Sequence, residues 1–144
     1  QGDGTACILA GDEKVFTCSL HCAENYPYEK ALSDFDVLIP SGTGDDGYLN
    51  TMAAMLEDLS ARLNPDLVIY DAGVDVHGAD ALGRLNLTDD GVKAREDMVL
   101  DYWLKRGVPV ATVIGGGYLA DFEHLMRLHM MVFQSAKGHF SKWC

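Results

Sequence analysis

Apolar residues recur along this chain at two spacings, and the alternation between them predicts the fold. Over residues 45–63 the apolar positions Leu49, Met52, Leu56, Leu59 and Leu63 keep the three-to-four-residue rhythm of one helix face. Asp45 or Asp46 stands where it can cap that helix. Residues 14–20 (KVFTCSL) and 37–39 are β-branched or apolar runs between turn formers, which predicts strands. Residues 67–71 (LVIYD) and 108–114 (VPVATVI) are compact apolar runs, the pattern of strands buried on both faces. A second helix is predicted to start near Thr88, with Asp89 and Asp90 in its positive first turn, and to end before Gly107. A third covers residues 119–136. Strand, helix, strand, helix with continuous apolar strands predicts an α/β fold: a three-layer parallel sheet with helices on both faces. In such sheets ligands gather beyond the carboxyl ends of the strands.

Length and composition narrow the picture. The 144 residues fit one domain with a sizeable core. Hydrophobic residues at 48% and charged residues at 23% match an ordinary globular protein. No apolar run reaches the ~20 residues of a bilayer span. The chain begins at Gln1 with no basic-then-apolar signal segment, so the expectation is a cytoplasmic protein cut on its amino-terminal side. A net charge of −11 argues against nucleic-acid partners, whose phosphates call for a basic face. It suits cationic substrates such as lysine side chains or polyamines, although solubility alone accounts for it. Cys7, Cys18, Cys22 and Cys144 form no CxxC pair, and reduced thiols are expected. Cys18 and Cys22 fall on one face of a strand-like run beside His21, with no second pair to close a metal tetrahedron.

Candidate chemistry follows the two best strands. After LVIYD the segment 71–80 (DAGVDVHGAD) holds Asp71, Asp75, Asp80 and His77, all ligand types for a divalent metal such as zinc. A solvated acidic loop explains it equally well, and one loop does not supply a full zinc shell. After VPVATVI come Gly115, Gly116, Gly117 and Tyr118. The glycines let backbone approach a ligand, so Gly116 and Gly117 are candidate substrate-binding positions; the tyrosine could hydrogen-bond a developing oxyanion. A turn with a packing tyrosine is the plainer alternative. Asp3 in GDGT and Asp45 in SGTGD are further glycine-flanked aspartates that turn chemistry can explain. The absence of GxxxxGK[ST], GxSxG and GxGxxG argues against nucleotide binding and serine hydrolysis.

In their order along the chain, QGDGT, VFTCSLH, NYPYEK, SDFDV, GTGD, YDAGVDVHGADALGRLNLTDDG and GGGY resemble the zinc-dependent histone deacetylases. NYP, SDFD and GTGD look most like the class IV branch and its bacterial relatives. The resemblance runs from residue 1 to about residue 136. It implies the arginase/deacetylase fold, with residues 1–144 as the carboxy-terminal part of one catalytic domain. It also implies a zinc held by two aspartates and a histidine. Asp75, in AGVD, matches one of those aspartates. The other two ligands form an Asp-x-His pair just before GDG, a position that falls ahead of Gln1, as do the family's paired active-site histidines. Asp3 matches the residue that orients one of those histidines, and Tyr118 the tyrosine that stabilises the tetrahedral intermediate. Ser19 and Leu20 match positions whose oxygens hold a monovalent cation, K+. His77 only mimics an Asp-x-His pair with Asp75.

The implied reaction is zinc-dependent hydrolysis of an acylated lysine or related amine. Two other readings stand beside it. In one, the chain alone lacks too many ligands to hold zinc and is a non-catalytic half-domain that needs its amino-terminal segment or another copy to cover its strand edges. Alternatively, the amine is a polyamine, as in acetylpolyamine amidohydrolases of the same fold.

Overall fold

The structure, a computed structural model, describes residues 2–143, with side chains to residue 140. It contains α1 (Asp3–Leu9), β1 (Cys18–Cys22), β2 (Phe35–Ile39), α2 (Asp45–Arg62), β3 (Val68–Gly73), α3 (Asp89–Leu104), β4 (Val110–Gly115) and α4 (Phe122–Trp143). The strands pair in parallel, β1 with β2 and β3 with β4, the latter from Val68 opposite Val110 to Gly73 opposite Gly115. The predicted α/β class, parallel strands with helices, is the observed one, in two two-stranded sheets; α3 joins β3 to β4, and a loop joins β1 to β2. Among the described residues no helix is long and apolar enough to cross a membrane.

The main helices form where the apolar rhythm places them. Met52, Leu56 and Leu59 of α2 and Val92, Val99 and Trp103 of α3 meet Leu128 of α4 in one buried cluster. Each such side chain contributes roughly 1.5–3 kcal/mol by leaving water. The two helix starts are tied together. Thr88 caps α3 by accepting from the Gly91 N–H (3.1 Å), and its own N–H and hydroxyl donate to the Asp45 carboxylate at 2.9 and 2.6 Å. Asp45 sits so close that a Cβ at position 91 would overlap its carboxylate.

Four expectations need correction. The GDGT segment is no bare turn: it opens α1, with Gly2 at φ 78° supplying the left-handed residue ahead of the helix. The first strand starts at Cys18, not Lys14, because Asp12 accepts from the Lys14 N–H at 2.9 Å and holds residues 12–15 in a turn. The last helix starts at Phe122, after Asp121 accepts from the His124 N–H at 3.0 Å. The third and fourth strands are not buried on both faces. Val68, Tyr70 and Ala72 turn inward, whereas Ile69 is 71% and Ile114 55% exposed. The inward face is covered by α3, through Tyr70 and Glu96; among the described residues nothing covers the other.

One ion pair is sealed beneath that covered face. Arg95 donates from Nη2 to Glu96 Oε1 at 2.5 Å and from Nη1 to the Gly73 carbonyl at 2.6 Å. The Tyr70 hydroxyl donates to Glu96 Oε2 at 2.7 Å. Burial raises the Tyr70 phenol well above its ordinary range, against the opposing charge of Arg95, so it remains a donor.

The cysteines Cys7, Cys18 and Cys22 are free. Cys18 as a whole is solvent-exposed, yet its thiol lies against Met55 Sδ at 3.6 Å. Burial of the sulfur, and then the charge of Asp36, push that thiol up to about 12. The thiolate is the reactive form. Iodoacetamide should therefore modify Cys18 about ten times faster for each pH unit between 8 and 11, followed by peptide mass spectrometry. A rate that levels off below pH 10 would contradict the burial of that sulfur.

Candidate active site

The carboxyl ends of β3 and β4 lie side by side, and each runs into a glycine-assisted turn. Beyond β3 the Val74 N–H donates to the Gly115 carbonyl at 3.0 Å, and the chain bends at once, with the His77 N–H on the Val74 carbonyl at 3.1 Å. Asp75 projects from this bend, two residues after the carbonyl that Arg95 grips. Beyond β4 the chain passes through Gly116 (φ 58°) and Gly117 (φ 98°), conformations that side chains with a Cβ rarely adopt. A Cβ on Gly116 would sit 2.5 Å from Asp75 Oδ1, and one on Gly117 would sit 2.7 Å from Val74 Cγ2. The glycines thus bring the backbone before Tyr118 into direct contact with the Asp75 carboxylate.

Asp80 fixes Tyr118. It is 9% exposed, and its Oδ2 accepts from the Tyr118 N–H at 2.6 Å. Its Oδ1 accepts from the N–H groups of Leu82 and Gly83 at 2.9 and 2.7 Å. One buried carboxylate therefore ties the Asp75 loop to the Tyr118 loop while the Tyr118 residue stays 56% exposed.

A small cavity of about 50 Å³ reaches Asp75 from the end of β1, lined by Leu20, His21, Asn25 and Arg84 among others. Ser19 lies near the start of β1, its hydroxyl 2.8 Å from His21 Nδ1. Burial lowers the His21 imidazole below its ordinary range, against the charge of Asp36, which favours the neutral ring. Its Nε2 is buried without a hydrogen-bond partner among the described residues, as is Oδ1 of Asp3 at the start of α1. Asp3 thus keeps a buried carboxylate oxygen with no donor among the described residues.

Asp75, Gly116, Gly117 and Tyr118 lie together at the ends of β3 and β4, with Leu20 beside the cavity that reaches Asp75. The other candidates separate. Asp45 is committed to Thr88, and Asp71 is exposed. The Cys18 thiol meets Met55 while that of Cys22 meets Glu24, so no metal pair forms. His77 turns from Asp75 to Asp89, with Nε2 3.0 Å from its Oδ1. The sequence offers Asp80 only as a candidate metal ligand and gives Arg95 no role. The signal for Arg95 was present: it lies between Val92 and Val99 on the apolar face of α3, where a charge is out of place.

Asp75 offers an oxygen that suits zinc. A catalytic zinc takes about three protein ligands, and among the described residues no group of three metal-suited side chains includes Asp75. Asp75 therefore fits as one ligand without completing a shell.

Comparison with known proteins bears on what these loops belong to. Residues 1–134 match the family model described as histone deacetylase domain. An uncharacterized protein of Picosynechococcus sp. is 49% identical over 137 residues, covering 95% of this chain and 46% of that protein. Histone deacetylase 2 of Arabidopsis thaliana is 33% identical over 122 residues, covering 83% of this chain and 32% of that protein. The chain thus spans less than half the length of either. Among solved structures, the HDA15 HD domain superposes with a TM-score of 0.75 at 24% identity, over 96% of this chain and 43% of that one. An acetylpolyamine aminohydrolase from Burkholderia pseudomallei gives 0.74 at 21% identity, over 94% and 41%.

Proposed function

Because the chain belongs to the histone deacetylase family, we propose that it supplies the Asp75 and Tyr118 side of a zinc-dependent hydrolase that removes acyl groups from acylated lysine or a related amine. The observation that carries this reading is the contact of the Asp75 carboxylate with Gly116, two residues before Tyr118, at the ends of adjacent parallel strands. Asp75 would hold the metal as one oxygen ligand. When bound, zinc polarises the acyl carbonyl and lowers the pKa of a coordinated water toward ~7.

The remaining work falls to the chain's own groups. Tyr118 donates its phenolic proton in a hydrogen bond to the oxygen that gains charge as the carbonyl becomes tetrahedral. Gly116 and Gly117 leave room for the acyl group against bare backbone. Asp80 keeps Tyr118 in register with Asp75, and Asp3 accepts from an imidazole that moves the proton to the departing amine. Ser19 and Leu20 would offer oxygens to K+.

A second reading rests on the incomplete metal shell: this polypeptide by itself is a non-catalytic half. Both readings meet in one test. Asp75→Asn in the intact protein should lower zinc content by about one per chain and abolish hydrolysis of a fluorogenic acetyl-lysine peptide. Residues 1–144 alone should show no turnover, with or without added zinc. An unchanged zinc content together with a wild-type rate in Asp75→Asn would overturn the assignment of Asp75.

A further inference from the structure

A second group of metal-suited side chains lies apart from Asp75. His77 comes from the loop after β3, Asp89 is the first residue of α3, and His124 lies in the first turn of α4. Both Nε2 atoms point at Asp89 Oδ1, from 3.0 Å for His77 and 2.7 Å for His124. All the available ligand atoms lie within 4.8 Å of one another. The two rings meet edge to face, with centroids 5.0 Å apart. The His77 side chain is only 9% exposed while that of Asp89 is 47% exposed, so the group is walled on one side and open on the other. It opens toward a cleft of about 550 Å³ whose lining includes Asp89, Glu123, Met126 and Arg127.

We propose that His77, Asp89 and His124 form a binding site for a divalent transition-metal ion of the zinc type, distinct from the Asp75 site. Two imidazoles and one carboxylate are a donor set that zinc accepts, with water completing the shell from the open side. Bonds of about 2.0–2.1 Å in a tetrahedral shell set the donors roughly 3.3 Å apart. Entry of the ion therefore needs the two imidazole–carboxylate contacts to widen by a few tenths of an ångström, and the exposed Asp89 can move by that much.

The protons balance. As the ion takes His77 Nε2, the ring's single proton moves through water from Nε2 to Nδ1, so the imidazole stays neutral and no proton is lost. Nδ1 at present accepts from the Ala79 N–H at 3.1 Å. That N–H must turn to water, and Ala79 is exposed, so water is at hand. A bound ion would fasten the loop that carries Asp75 to both α3 and α4 without touching Asp75.

Titration of the purified protein with CoCl2, followed by d–d absorption and then by displacement with ZnCl2, tests the site. One equivalent should survive Asp75→Asn and weaken at least tenfold in Asp89→Asn and in His124→Ala. If binding disappears in Asp75→Asn and is untouched in the other two variants, the metal belongs to the Asp75 loop and this proposal fails. It fails equally if wild-type protein binds no ion that answers to Asp89 or His124, which would leave the three residues a hydrogen-bonded tie. Should the variants misfold, imidazole NMR of the wild-type protein decides. Zinc should shift His77 and His124 together; shifts confined to His21, His129 and His139 would overturn the proposal.

Discussion

Replacing Glu96 with alanine is expected to destabilise the fold by about 3–5 kcal/mol, the range for removing one partner of a buried ion pair. Glu96 is 0% and Arg95 2% exposed, so water does not replace the lost carboxylate. The Arg95 guanidinium would keep the Gly73 carbonyl but lose its carboxylate, and the Tyr70 hydroxyl would lose its acceptor, itself worth about 1–3 kcal/mol when buried. Replacing both charges with apolar residues of similar volume should cost less than either single change, because no bare charge then remains inside. Urea denaturation reads this as a lowered midpoint at constant m. A loss under about 1 kcal/mol for Glu96→Ala would show that the pair is not sealed as described.

The second large effect concerns rate. Tyr118→Phe in the intact protein should lower kcat by about 10²–10³-fold, the usual loss for one donor to a developing oxyanion. Zinc content and the urea midpoint should hardly change, because the residue is 56% exposed and its backbone N–H, not its hydroxyl, is what Asp80 holds. Turnover at the wild-type rate would remove Tyr118 from the reaction. A fall in rate accompanied by an equal loss of stability would make it a packing residue.

The sequence carried the parts of this fold that depend on local spacing. The 3.6-residue rhythm of α2 and α3 placed both helices to within about two residues, and Thr88 was legible at the start of α3; Asp45, expected to cap α2, instead follows the Gly44 cap and accepts from Thr88. The motifs after the two apolar strands also led to Asp75 and the Gly116–Tyr118 turn. What escaped depended on partners distant in sequence or on competing local signals. The glycines in the first four residues disguised α1, since they read as a turn. The open face of β3 and β4 was hidden because an apolar run looks the same whether one face or both are covered. Asp80 stood among the candidate ligands, but its actual partner, the Tyr118 N–H, lies 38 residues away. His77 likewise sits beside Asp75 in sequence, and only the placement of α3 and α4 turns it toward Asp89 and His124.

The contact between Asp45 and Gly91 has a consequence for how this sequence can drift. A side chain at position 91 would collide with the Asp45 carboxylate, and loss of that carboxylate would strip Thr88 of two hydrogen bonds. Neither position can change freely while the other stays as it is. A substitution at 91 becomes tolerable only in a lineage where residue 45 has already shortened or withdrawn. The two sites should therefore mutate as a compensating pair, in that order, although they belong to different helices.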